Sequence, residues 1–186
     1  MNVLRRCLPI LLALVSAQIL AAEPKRVKII DPLSVIDAST LKAGYSKISI
    51  GSSSEWEHPK FLNVDIDFAK SDFGGVNKSI DPSHVNASRY KGIRFFAKSP
   101  TATLLQVTLA AKDKDGRHLI FKAMAPVAVA WSEVLLPYSI FEGSASPIND
   151  ASLSKVSSIF VSIHKRDNGE NSEASLQMDG LGFIEK

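Results

Sequence analysis

Apolar and polar residues alternate along most of the chain beyond residue 47. The clearest run is Phe61 to Phe68, with Leu62, Val64, Ile66 and Phe68 on one side and Asn63, Asp65 and Asp67 on the other. Successive side chains of a strand point to opposite faces, so this run predicts a half-buried strand with a polar outer surface. The same period recurs in Lys47 to Ile50 and in Gly92 to Lys98, where Ile93, Phe95 and Ala97 share a side. Leu104 to Ala111 turns Leu105, Val107 and Leu109 inward and Gln106 and Thr108 outward, and Val156 to His164 turns Ile159, Val161 and Ile163 inward. His118 to Met124, Trp131 to Leu136 and Leu176 to Ile184 complete eight predicted strands. Asp113-Lys114-Asp115-Gly116 between two of them signals a hairpin, because glycine tolerates positive φ. Gly51 to Ser54, Gly74-Gly75, Gly143 to Pro147 and Asp167 to Ser172 read as further turns. Short strands at this spacing predict an all-β sandwich. Helix is expected only as single turns at Asp37 to Ala43, Ser83 to Tyr90 and Ser152 to Lys155.

The first 22 residues break this pattern. Met1 to Arg6 carries Arg5 and Arg6 without an acid, Leu8 to Leu20 is apolar apart from Pro9, Ser16 and Gln18, and Ala21-Ala22 precede Glu23. A basic start, a short apolar run and small residues predict a secretory signal peptide, cleaved after Ala22. The run is shorter than the roughly 20 apolar residues of a membrane span, so no stable membrane insertion is expected after cleavage. The expected product is one domain, residues 23–186, periplasmic or secreted and monomeric.

Removing that segment changes the charge and the cysteine chemistry. The net charge of +3 falls to +1 without Arg5 and Arg6. No cationic excess of the kind nucleic-acid binding requires is left. The single cysteine, Cys7, also goes, and with it any disulfide, zinc–thiolate site or cysteine nucleophile. The remaining chain is long enough to bury a core without cross-links.

Catalytic signatures are missing. The chain has no serine elbow flanked by glycines, no zinc-protease motif and no phosphate-binding glycine loop. Asp65 and Asp67 leave the same face of one strand about 7 Å apart, whereas a glycosidase places its acids on opposite sides of the bond. The chain therefore reads as non-catalytic. His58, His84, His118 and His164 show no metal-like spacing and read as isolated. Trp131 reads as core packing. Trp56, beside Glu55, Glu57 and His58, is the candidate exposed aromatic.

Four segments carry a resemblance. They are Tyr90-Lys91-Gly92-Ile93-Arg94-Phe95; Trp131 to Val134 with Leu136-Pro137-Tyr138 and Phe141; Ser157-Ser158-Ile159 with Val161 and Ile163; and Met178-Asp179-Gly180-Leu181-Gly182-Phe183. In this order they resemble the galactose-binding-like jelly rolls of family 11 carbohydrate-binding modules. They are also similar to the complex I intermediate-associated protein family, which shares that fold. The resemblance covers about residues 60–186. It implies a β-sandwich jelly roll of two antiparallel sheets with about four to five strands each. It also implies binding without chemistry, either of a glycan or, as an assembly factor, of a cell-envelope protein.

In jelly-roll order, the strands at Phe61 to Phe68, Val156 to His164, Leu104 to Ala111 and His118 to Met124 form one concave sheet, which binds the sugar in the carbohydrate modules. Its outward residues here would be Asp65 and Asp67 with Asn63; Phe160, Ser162 and His164; Gln106 and Thr108; and Lys122 with His118. Such groups suit sugar hydroxyls, each of which both donates and accepts. The solvated face of any antiparallel sheet gives the same alternation. The resemblance further implies a structural calcium at Asp179 with Asp37 as partner. Read from the residues alone, Asp179 instead caps a turn at Gly180.

Overall fold

A computed structural model describes residues 27–31, 41–42, 46–54, 57–143, 147–169 and 171–186. The expected signal segment, Asp37 and Trp56 lie outside them. The strands in chain order are β1 (Val27–Asp31), β2 (Leu41–Lys42), β3 (Ser46–Ser52), β4 (Lys60–Asp67), β5 (Phe73–Ser79), β6 (Tyr90–Lys98), β7 (Leu104–Lys112), β8 (His118–Pro126), β9 (Ser132–Pro137), β10 (Glu142–Gly143), β11 (Val156–His164) and β12 (Glu173–Glu185). One helical turn, α1 (Asp150–Leu153), is closed by a reciprocal cap between Asn149 and Ser152. A 3₁₀ turn spans Ala87–Arg89. In the third expected helical segment, Leu41–Lys42 is the strand β2.

The strands form two antiparallel six-stranded sheets. The first runs β3-β4-β12-β6-β9, and the second runs β10-β8-β7-β11-β5-β2. In the first, β12 pairs with β6 along one edge. Its other edge is shared by β4, over Glu173 to Met178, and β1, over Leu181 to Ile184. Each sheet exceeds the expected four to five strands because β1, β2 and β10 are too short to show a period, and β5 contains the Gly74-Gly75 pair expected to form a turn.

The core between the sheets is the inward set of the alternation. Leu62, Val64, Ile93, Phe95, Leu105, Val107, Leu109, Ile163, Leu176, Met178 and Phe183 are all at 0% exposure. Each such side chain contributes about 1.5–3 kcal/mol of burial, and the sandwich closes on them without disulfides.

The sheet assignment differs from the expectation in one strand. β4, with Asp65 and Asp67, pairs with β3 and β12 in the first sheet. The place beside β11 is taken by β5. Gly74-Gly75 lies inside β5, not in a turn. A Cβ on Gly74 would stand 2.6 Å from both Ile66 Cγ2 and Ser46 Oγ of the first sheet. A Cβ on Gly75 would stand 2.1 Å from the Val161 carbonyl oxygen. These glycines mark close approach of backbone and sheets.

Gly75→Ala should therefore strain the β5–β11 pairing and cost about 1–3 kcal/mol, the usual range for overpacking. Urea denaturation should show a lower midpoint with an unchanged slope.

Candidate ligand-binding face

The outer face of the second sheet is built by register. β11 turns Phe160, Ser162 and His164 outward. Phe160 stands opposite Thr108 of β7 and Asn77 of β5, and Thr108 stands opposite Lys122 of β8. The result is one row, Asn77–Phe160–Thr108–Lys122, crossing four strands. A parallel row carries Gly75, Ser162, Gln106 and Met124, and beyond it Phe73 stands opposite His164. Six of the eight expected ligand residues thus share a face: Gln106, Thr108, Lys122, Phe160, Ser162 and His164.

Burial divides their tasks. Ser162 is at 0% exposure and Gln106 at 7%. The Ser162 hydroxyl donates to the Gln106 carbonyl at 3.3 Å and lies 3.3 Å from His164 Nε2. Gln106 Nε2 donates to Thr108 Oγ1 at 3.3 Å. These two side chains orient His164 and Thr108 from beneath, leaving Thr108, Lys122, Phe160 and His164 within reach of a ligand.

β5 adds what the sequence reading missed. Phe73 is 42% exposed. Its ring stacks on His164 (5.4 Å between centroids, 22°) and meets Phe160 edge-on (6.3 Å, 83°). Exposed Met124 on β8 adds a further apolar side chain. The local signal was slight: Val76 is the single apolar side chain between Phe73 and Ile80, and the glycine pair before it obscured the strand.

Asp65 and Asp67 sit on the first sheet, away from this face. Asp65 accepts from Asn63 Nδ2 at 2.9 Å and from the Ser175 hydroxyl at 3.1 Å. Asp67 accepts from the Ala69 amide at 2.9 Å and pairs with Lys70 at 3.0 Å. The Lys70 hydrogen bond, then the Ala69 amide, hold the Asp67 carboxyl below the usual aspartate value.

Asp179 lies at a bulge in β12. Its Oδ1 accepts from the Gly180 amide at 2.7 Å, and Gly180 takes φ +62. Its Oδ2 lies 3.1 Å from Nδ1 of His58. Calcium takes six or more oxygens. Among the described residues no group of three His, Cys, Asp or Glu side chains converges on a metal position. His58 is not isolated on the surface. It is 4% exposed and stacks on Trp131 (4.4 Å, 30°). Trp131 therefore packs outside the inter-sheet core, with Phe61 edge-on at 5.7 Å and Lys98 Nζ 4.9 Å from its ring centre.

No protein-family model matches the chain, and no curated protein matches it. Solved structures do. A family 11 carbohydrate-binding module of a cellulosomal cellulase from Clostridium thermocellum superposes with a TM-score of 0.64 at 17% identity, covering 88% of this chain and 96% of that one. A family 11 module from the same organism, in complex with a β-1,3-1,4-mixed-linked tetrasaccharide, gives 0.63 at 17% identity, covering 86% and 95%. The xylan-binding family 22 module of Paenibacillus barcinonensis gives 0.57 at 12% identity, covering 89% and 97%. The fold is the galactose-binding-like jelly roll of these modules.

His164 supplies a pH handle on the face. Burial, then Arg166 and Lys122, push its pKa below the ordinary 6.5, with Asp167 opposing. The folded state then binds fewer protons than the unfolded chain, so stability is lost as pH falls below 6.5. In His164→Gln, thermal unfolding should lose part of this pH dependence, and an NMR titration of the native imidazole should show a midpoint below 6.5.

Proposed function

We propose that the protein is an exported, non-catalytic glycan-binding module. Its ligand lies across the outer face of the second sheet. The row Asn77–Phe160–Thr108–Lys122, flanked by Phe73 and His164, carries this reading. Aromatic rings offer flat apolar surfaces to the C–H faces of sugars. Thr108, Asn77, Lys122 and His164 supply donors and acceptors for hydroxyls. Ser162 and Gln106 act beneath them. The solved relatives support the class, since one holds a mixed-linked tetrasaccharide and another is a xylan-binding domain. Export rests on the basic, apolar and small-residue order of residues 1–22.

Affinity electrophoresis in gels containing mixed-linked β-glucan or xylan tests this. The protein should be retarded by at least one of them. Phe160→Ala, Thr108→Ala and Lys122→Ala should each weaken retention by about threefold to tenfold, the loss of one stacking or hydrogen-bonding contact, with thermal stability kept. Retention unchanged in all three would remove the site from this face. No retention, together with recovery of one envelope protein in a pull-down, would favour the assembly-factor reading. The expected calcium enters as a separate arm. A rise in melting temperature with calcium, lost in Asp179→Asn, would support a metal held by Asp179 and Asp37.

A further inference from the structure

A groove of about 610 Å³ opens at one corner of the first sheet, on the opposite side of the sandwich from the face just described. Pockets of this size hold small ligands. The corner is made where β3 and β12 begin and β4 ends, with the loop before β7 rising beside them. Register sets its walls. Lys47, Asp65 and Ser175 form one outward row across β3, β4 and β12, and Asp67 stands opposite Glu173 in the next. Thr101 closes the side, with Oγ1 accepting from the Ser175 amide at 3.2 Å.

The polar groups are held before any ligand arrives. Each oxygen of Asp65 accepts one hydrogen bond, from Asn63 and from Ser175. Asp67 is fixed by the Ala69 amide and Lys70. A carboxylate oxygen has a second acceptor site, so both acids keep capacity toward the groove. Thr101 uses its oxygen as an acceptor and keeps its hydroxyl proton to donate. Placing Asp67 opposite Glu173 opposes folding, since like charges directly across strands repel. Ionised carboxylates make the stronger class of hydrogen bond with hydroxyl donors.

We propose that this groove is a second binding site, for one or two rings of a neutral saccharide, whose hydroxyls donate to Asp65 and Asp67 and accept from Lys47 and Thr101. The site stands independently of the second-sheet reading. If both hold, the two sites face opposite ways and one molecule bridges two glycan chains, gaining avidity from the pairing.

Amide-resolved NMR titration of the protein tests this, with glucose, galactose, xylose, cellobiose, xylobiose and the mixed-linked tetrasaccharide as probes. At least one probe at millimolar concentration should shift the amides of Asp65, Thr101 and Ser175 saturably. Asp65→Ala should weaken that binding at least tenfold, and Thr108→Ala should leave it unchanged. Lys47→Met, on an exposed position outside the core, provides a second variant and should weaken it several-fold. No saturable shift at these amides with any probe overturns the proposal. So does a shift that survives both groove variants, or a response to calcium chloride alone. The amides of Thr108, Lys122 and Phe160 report the second-sheet face in the same spectra, so either site can fail without the other.

Discussion

Strand β11 is hydrogen-bonded along both edges, to β5 on one side and to β7 on the other. This double pairing places Phe160, Ser162 and His164 in the middle of the second sheet, where their neighbours are fixed by register. It also buries Ile159, Val161 and Ile163 on the opposite side. The geometry depends on a close approach. Gly75 meets the Val161 carbonyl, and Gly74 meets Ile66 and Ser46 across the sandwich, at distances that exclude a side chain. The open face and the tight core are therefore two sides of one constraint. A strand that admits glycine here can carry Phe73 and Asn77 at its outward positions without separating the sheets.

The two outer faces are finished differently. On the first sheet, the segment before β4 folds down so that His58 sits between Asp179, Trp131 and Phe96. Arg94 lies 4.3 Å from the centre of the Phe96 ring and donates to Glu133 at 2.7 Å. Rings and charged groups pack against one another there, although the buried Trp131 indole N–H finds no hydrogen-bond partner among the described residues. The corner at Asp65 and Asp67 lies open on the same sheet. On the second sheet, Phe73, beside Phe160, and Met124 on β8 remain more than two-fifths exposed. Exposed apolar side chains among oriented polar groups are the usual composition of a recognition surface.

Strand alternation made the inward residues legible. Leu62, Val64, Ile66 and Phe68, and the corresponding sets of β6, β7 and β11, are buried as their period predicts. The ends of β11 also agree with the apolar run. Sheet membership was not legible in the same way. Alternation says which side of a strand is covered, not which sheet covers it, and Asp65 on β4 looks the same in sequence as Thr108 on β7. Only pairing between distant segments separates them. β5 was hidden by a glycine pair that serves packing here and turns elsewhere. His58 gave no local signal, because its partner Asp179 lies 121 residues away.

The central claim is that a glycan lies across β5, β11, β7 and β8. A crystal structure of the protein with the mixed-linked β-1,3-1,4 tetrasaccharide tests it most directly. The account predicts sugar rings against Phe160 and Phe73, with hydroxyls bonded to Thr108 and Lys122. Sugar density confined to other surfaces, with this face bare and free of lattice neighbours, would contradict it.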